Sequence, residues 1–184
     1  MHQVQPYLER VCLMKLAAPA TVWKKLAADD LFLQWKKQHT KGFLSHFFCS
    51  LTADFAVKSN WEVGFYDPAT EKITVFAWLD NGSFAVKAAD DVFKKPDATV
   101  EELKMSTMTA EADKPFDTFT ESVGSFFPGE VLGDGFLIVQ NWQGATIWNF
   151  TFITKTLKFV NVKIDAGDGE VMSHEVIDLV MKDK

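Results

Sequence analysis

The chain has 184 residues, a net charge of −6 and no basic run or stripe, which opposes a nucleic-acid partner or an anionic membrane surface. With 47% hydrophobic and 24% charged residues it has the composition of a globular protein with a sizeable core, and no apolar run reaches the roughly 18 residues a membrane-spanning helix needs. The 17 Phe and 6 Trp are unusually many, and bulky aromatics of this kind close a core with few residues.

The N-terminal stretch "MHQVQPYLERVCLMKL" places Glu9 and Arg10 inside its apolar run. It lacks the basic start, continuous apolar middle and small-residue cleavage site of a secretory signal. Cys12 and Cys49 are too few for a disulfide framework and fit no zinc spacing, so the expectation is two thiols in a reducing cytoplasm. Next, "PATVWKKLAADDLFLQWKK" sets Val22, Leu26, Leu31 and Trp35 near helical spacing, with Pro19 suited to the first turn. After Gly42-Phe43-Leu44, His46 and Cys49 are three apart; on a strand they point to opposite faces.

Trp61, Val63 and Phe65 alternate with polar or small residues, the mark of a strand with one buried face. Pro68 suits the second position of a turn, "ITVFAWL" is a second strand, and Asp80-Asn81-Gly82 predicts a hairpin with positive φ at its centre. "SFAVKA" returns. The charged stretch "KKPDATVEELKMSTMTAEAD" then reads as a linker, with a boundary near residue 97. "DKPFDTFTESVGSFF" predicts a helix with Phe116, Phe119, Val123 and Phe126 on one stripe and Pro115 near its start.

The rest repeats what came before. Displaced by 87 residues, Trp61 falls on Trp148, Phe65 on Phe152, Val75 on Val162, Gly82 on Gly169 and Asp91 on Asp178, without a gap. Upstream, "GFL" recurs at Gly42 and Gly135. The predicted fold is α+β: two tandem units, residues 1–96 and 97–184, each a helix packed on an antiparallel sheet.

The last hairpin, "VNVKIDAGDGEV", resembles the closing motif of the PepSY family, with Asp165, Ala166, Gly169, Glu170 and Val171 matching. The tandem form resembles a two-copy PepSY-like arrangement found in prokaryotic proteins. The resemblance implies a small cystatin-like module with a binding or inhibitory role and no catalytic residue set. A shorter stretch, "LAAPATVWKKLAADDLFLQW", resembles the opening of START-like helix-grip proteins. That would imply a carrier of a small apolar ligand, under a long C-terminal helix covering "GEVMSHEVIDLVMKDK".

Chemical motifs are absent. The histidines, His2, His39, His46 and His174, show no metal-ligand spacing. "DAGDGE" has glycine at two positions where an EF-hand needs oxygen ligands, so a hairpin turn is expected there. Asp90-Asp91 reads as a surface turn and Glu101-Glu102 as part of the charged linker; neither pair forms an acid/base couple. "GEVLGDG" lacks the Lys-Ser/Thr of a phosphate loop, and no GxSxG elbow occurs. The expectation is a non-enzymatic module without cofactor or metal that binds an unknown protein or peptide, with neither nucleic acid nor a membrane span involved. The candidate binding residues are Trp142, beside a turn, and Trp78 and Phe76, which share a strand face. Binding through an edge strand also admits a homodimer.

Overall fold

The computed structural model describes residues 16–91, 99–111 and 113–178. Its strands are β1 (Phe43–Leu51), β2 (Glu62–Asp67), β3 (Lys72–Trp78), β4 (Phe84–Asp91), β5 (Leu132–Trp142), β6 (Ala145–Thr154), β7 (Lys158–Asp165) and β8 (Val171–Asp178). The helices are α1 (Pro19–Leu26), α2 (Asp30–Gln38) and α3 (Lys114–Phe126). All eight strands belong to a single antiparallel sheet of order β4-β3-β2-β1-β5-β6-β7-β8.

This corrects the expectation of two tandem helix-on-sheet units. β1 and β5 pair continuously from His46↔Gln140 to Leu51↔Gly135, so the halves share one sheet. The reason is the cost of an edge. Phe47, Cys49, Leu51, Leu137 and Val139 are all fully buried on these two strands, and separate units would expose them together with two unpaired backbone edges. The order also reads alike outward from β1·β5 in both directions. Trp61 and Trp148, aligned by the repeat, meet edge-to-face at 6.2 Å across that junction.

Helix α1 ends at Leu26 and α2 begins at Asp30, where a single helix was expected. Asp29 makes the break: its carboxylate accepts the Leu31 N–H at 2.9 Å and caps α2. That resets the helical phase. Phe32 and Trp35 face the core, and Leu31 is 43% exposed. In α3 the expected stripe packs as a mixture, with Phe119 and Val123 buried and Phe116 and Phe126 partly buried against them.

The β3–β4 turn differs from the expected one. Only Gly82 has positive φ (82°), and Gly82 N–H donates to Leu79 O, giving a three-residue loop with glycine in the left-handed position. Asp90 and Asp91 pair with Ile73 and Lys72 within β4 rather than forming a turn. "DAGDGE" is a hairpin loop: the Asp165 carboxylate accepts the Gly167 and Asp168 N–H groups, and Gly169 has φ 76°. Residues 171–178 are strand β8, which removes the helix-grip expectation of a C-terminal helix there. His2, Cys12 and the boundary near residue 97 lie outside the described residues.

Directly opposed residues share a face. One row, Phe76–Val63–Phe47–Val139–Trp148–Ile164, crosses six strands and is buried throughout. All three helices pack on this face: Phe32 on Phe76, Trp23 on Phe65, Phe119 on Phe150 and Phe152. Leu103 of the linker joins the same core and donates its N–H to Leu44 O at 2.8 Å. The linker is therefore not a solvated spacer. Glu101 holds it to the β5–β6 turn by accepting from Asn141 Nδ2 and Gly144 N–H.

Candidate functional site

The other face of the sheet carries no helix among the described residues. The row next to the buried one runs Ala85–Ala77–Glu62–Phe48–Ile138–Asn149–Lys163–Ser173 and points to this open side. A second open-face row runs Ser50–Phe136–Thr151–Asn161–Glu175. The alternation of "VNVKID" builds both sides at once: Val160, Val162 and Ile164 are buried under α3, and Asn161, Lys163 and Asp165 face the open side.

Across β5–β8 the open face dips into a hollow of about 320 Å³. Its floor is short and polar (Asn149, Thr151, Asn161), and its walls include Phe136, Phe159 and Ile177 with Lys163 and Glu175. One hydrogen-bond network fixes the floor. Lys163 Nζ donates to Asn161 Oδ1 at 2.7 Å and to Glu175 Oε1 at 2.9 Å. An ammonium only donates, so Asn161 must turn its oxygen toward Lys163 and its nitrogen toward the floor. Asn161 Nδ2 then donates to Asn149 Oδ1 at 2.6 Å and to Thr151 Oγ1 at 2.8 Å. The ammonium also lies 5.1 Å from the Trp142 ring centre, a cation–π contact.

His46 lies farther along this face. Its imidazole sits on Gly64, where a Cβ would come within 2.1 Å of the ring, and Ser45 Oγ lies 2.9 Å from Nδ1. Burial pushes its pKa down to about 4, against an opposing pull from Glu62. Cys49 lies on the helix face, fully buried, with its thiol pushed up to about 12 by burial; the two side chains sit on opposite sides of the sheet.

The folded His46 pKa is below the 6.5 of an unfolded histidine, so the unfolded chain takes up the proton first. Stability is complete above 6.5 and falls as pH drops toward 4, by up to about 3 kcal/mol from this group. Urea titrations between pH 7 and pH 4 check this. His46→Gln should flatten that part of the pH dependence, and an unchanged slope would rule out His46 as its source.

The candidate aromatics divide. Trp142 is half-buried on the open face beside the hollow. Phe76 is fully buried in an aromatic cluster with Phe32, Trp35 and Phe65. Trp78 is half-buried on the helix face, stacked on Phe84, and its buried indole N–H has no acceptor among the described residues. It lines a smaller hollow of about 180 Å³ with Trp61, Asn60 and Asp80. Fold and spacing do not bring the three together.

Sequence reasoning passed over two pairings. His39 Nδ1 and Asp67 Oδ2 are 2.6 Å apart, with Trp35 stacked on the imidazole at 4.7 Å. This contact joins the end of α2 to the end of β2, and the hydrogen bond from His39, helped by the Ala69 N–H, holds the Asp67 carboxyl below its usual range. The other is the Asn149–Thr151–Asn161–Lys163 network. Its one sequence signal is an Asn and a Lys alternating with Val160, Val162 and Ile164 within β7.

Among the described residues, no group of three or more His, Cys, Asp or Glu is placed to hold a metal ion. Among the same residues, no helix is long and apolar enough to cross a membrane. Compared with known proteins, the chain matches no family model, no curated sequence and no solved structure.

Proposed function

We propose that the protein is a binding module that captures an extended segment of a partner protein along strand β8, beside the open face. The observation that carries this reading is the character of that edge. Among the described residues β8 pairs only with β7 and ends the sheet, which leaves one row of its backbone N–H and C=O groups for a partner. Along it Met172, Val176 and Ile177 are 44%, 47% and 48% exposed. An open edge with apolar side chains is what strand addition uses: main-chain hydrogen bonds give affinity and alternate side chains give specificity. The PepSY-like closing motif that leads into β8 agrees with a binding or inhibitory role.

Selection of random peptides displayed on phage, with the full chain as bait, tests this. Selected peptides should show strand-like alternation and shift the β8 backbone amides in NMR spectra. Met172→Lys combined with Ile177→Lys should weaken them at least tenfold, the order expected for losing one or two buried apolar contacts. Both sites are exposed, so the melting temperature should hardly move. Binders indifferent to this double variant would sink the edge reading. A second copy of the chain on the same edge would appear as a dimer that the variant dissolves.

A further inference from the structure

We propose that the segment captured by β8 is β8 of a second copy of the chain, paired antiparallel about a twofold axis at His174. This names the partner of the β8 edge and rests on the edge reading. The observation behind it is a palindrome of polarity. Around His174 the strand reads "VMSHEVI": two apolar residues, a polar one, the histidine, a polar one, two apolar residues. Pro and Lys, which natural edge strands use against self-pairing, are missing from β8.

Geometry narrows the register. In a twofold antiparallel pair, directly opposed residues lie on the same face, so one residue must face its own copy. Centred on Glu175, two carboxylates would oppose each other, and like charges in that position destabilise. Centred on Val176, Glu175 would meet Ile177. Centred on Ser173, Met172 would meet His174, and the ladder would run into the register shift between Lys163 and Ile164 that disturbs the start of β8. Centred on His174, Met172 meets Val176 and Ser173 meets Glu175. Met172 and Val176 are 44% and 47% exposed, and this pairing removes both from water. The Ser173 hydroxyl is set to donate to the Glu175 carboxylate, which already accepts from Lys163 at 2.9 Å.

The helix layer leaves room for this pairing. Helix α3 packs over β6 and β7, with Phe119 stacked on Phe150 and Phe152 and Thr118 Oγ1 donating to Gly169 O. Two copies would hold their α3 helices at least three strand spacings apart, about 14 Å, wider than the roughly 8–10 Å of packed helices. At β8 the Phe126 ring stacks on the His174 imidazole at 4.0 Å, so two such stacks meet at the axis. The ladder is short, which puts the contact at the small end of interface sizes and makes the dimer weak.

Sedimentation velocity on the full chain from about 10 μM to about 1 mM reads the association, a range suited to a small interface. A monomer–dimer equilibrium is expected, and Val176→Lys should weaken it about tenfold through the lost apolar contact. Disulfide trapping under mild oxidation reads the register, in a chain carrying Cys12→Ser and retaining the fully buried Cys49. On the axis, His174→Cys places its Cα about 5 Å from its copy, within disulfide reach. Ser173→Cys or Glu175→Cys alone lies about 8 Å from its copy, beyond that reach. His174→Cys should therefore cross-link about ten times faster than either, and a mixture of the Ser173→Cys and Glu175→Cys chains should link where neither does alone. A chain that stays monomeric at the highest concentration, a dimer indifferent to Val176→Lys, or faster linking through Glu175→Cys than through His174→Cys overturns the proposal. If phage-selected peptides still shift the β8 amides, each of these results leaves edge capture standing; if those peptides fail as well, both readings fall.

Discussion

Trp61→Ala is expected to cost the whole chain about 3–5 kcal/mol, the range for truncating a buried aromatic, and to loosen both halves together. The Trp61 ring is fully buried, meets Phe47 at 5.8 Å and Trp148 at 6.2 Å, and donates its indole N–H to Ala17 O at 2.7 Å. Truncation leaves a cavity at the junction of the two strand sets and an unpaired carbonyl next to α1. Because β1·β5 is an internal pairing of one sheet, the damage should reach the far strands. Hydrogen exchange gives the reading: amides in β2 and in β6 should lose protection to similar extents, in a single cooperative urea transition. Full protection in β6 with loss only in β2 would mean the halves unfold separately.

Gly135→Val should be nearly as damaging, by about 3 kcal/mol, at the upper end for overpacking. A Cβ at Gly135 would lie 2.3 Å from the Thr151 carbonyl oxygen and 2.5 Å from the Phe152 ring. The oxygen is backbone and cannot move without opening the β5–β6 ladder, and Thr151 is part of the polar floor. For a chain of this size the melting temperature should fall by about 6–12 °C. Gly124→Ala is the matched control. Gly124 lies within α3 with open space around its Cβ direction, and alanine there should stabilise by about 0.5–1 kcal/mol. Equal behaviour of the two variants would show that contact at the β5–β6 ladder is not what decides the cost.

The candidate site was legible only in part. Trp142 stood out because it precedes a Gly turn, and it does lie on the open face next to the hollow. Asn149, Thr151 and Asn161 did not stand out, because their chemistry depends on the β6–β7 register: a one-residue slip of β7 would turn Asn161 toward α3, away from Asn149 and Thr151. Phe76 and Trp78 read as one patch because they share a face. Strand alternation gives the face; only the packing of α2 tells that Phe76 lies beneath Phe32 and Trp35.

Local physics is what the sequence determined by itself. Alternation marked strands at Trp61–Phe65, Ile73–Leu79 and Val160–Ile164, glycines marked the turns at Gly82 and Gly169, and the 87-residue displacement aligned two sets of strands. The tertiary structure alone decided whether those sets stand apart. Periodicity reports that a strand has a buried face, and the same pattern serves an edge strand and a central one. β1 and β5 became neighbours because their backbone edges and buried side chains satisfy each other, a pairing between segments some 90 residues apart. From that pairing follow one shared core on the helix side, one face without helices, and β4 and β8 as the outer strands among the described residues.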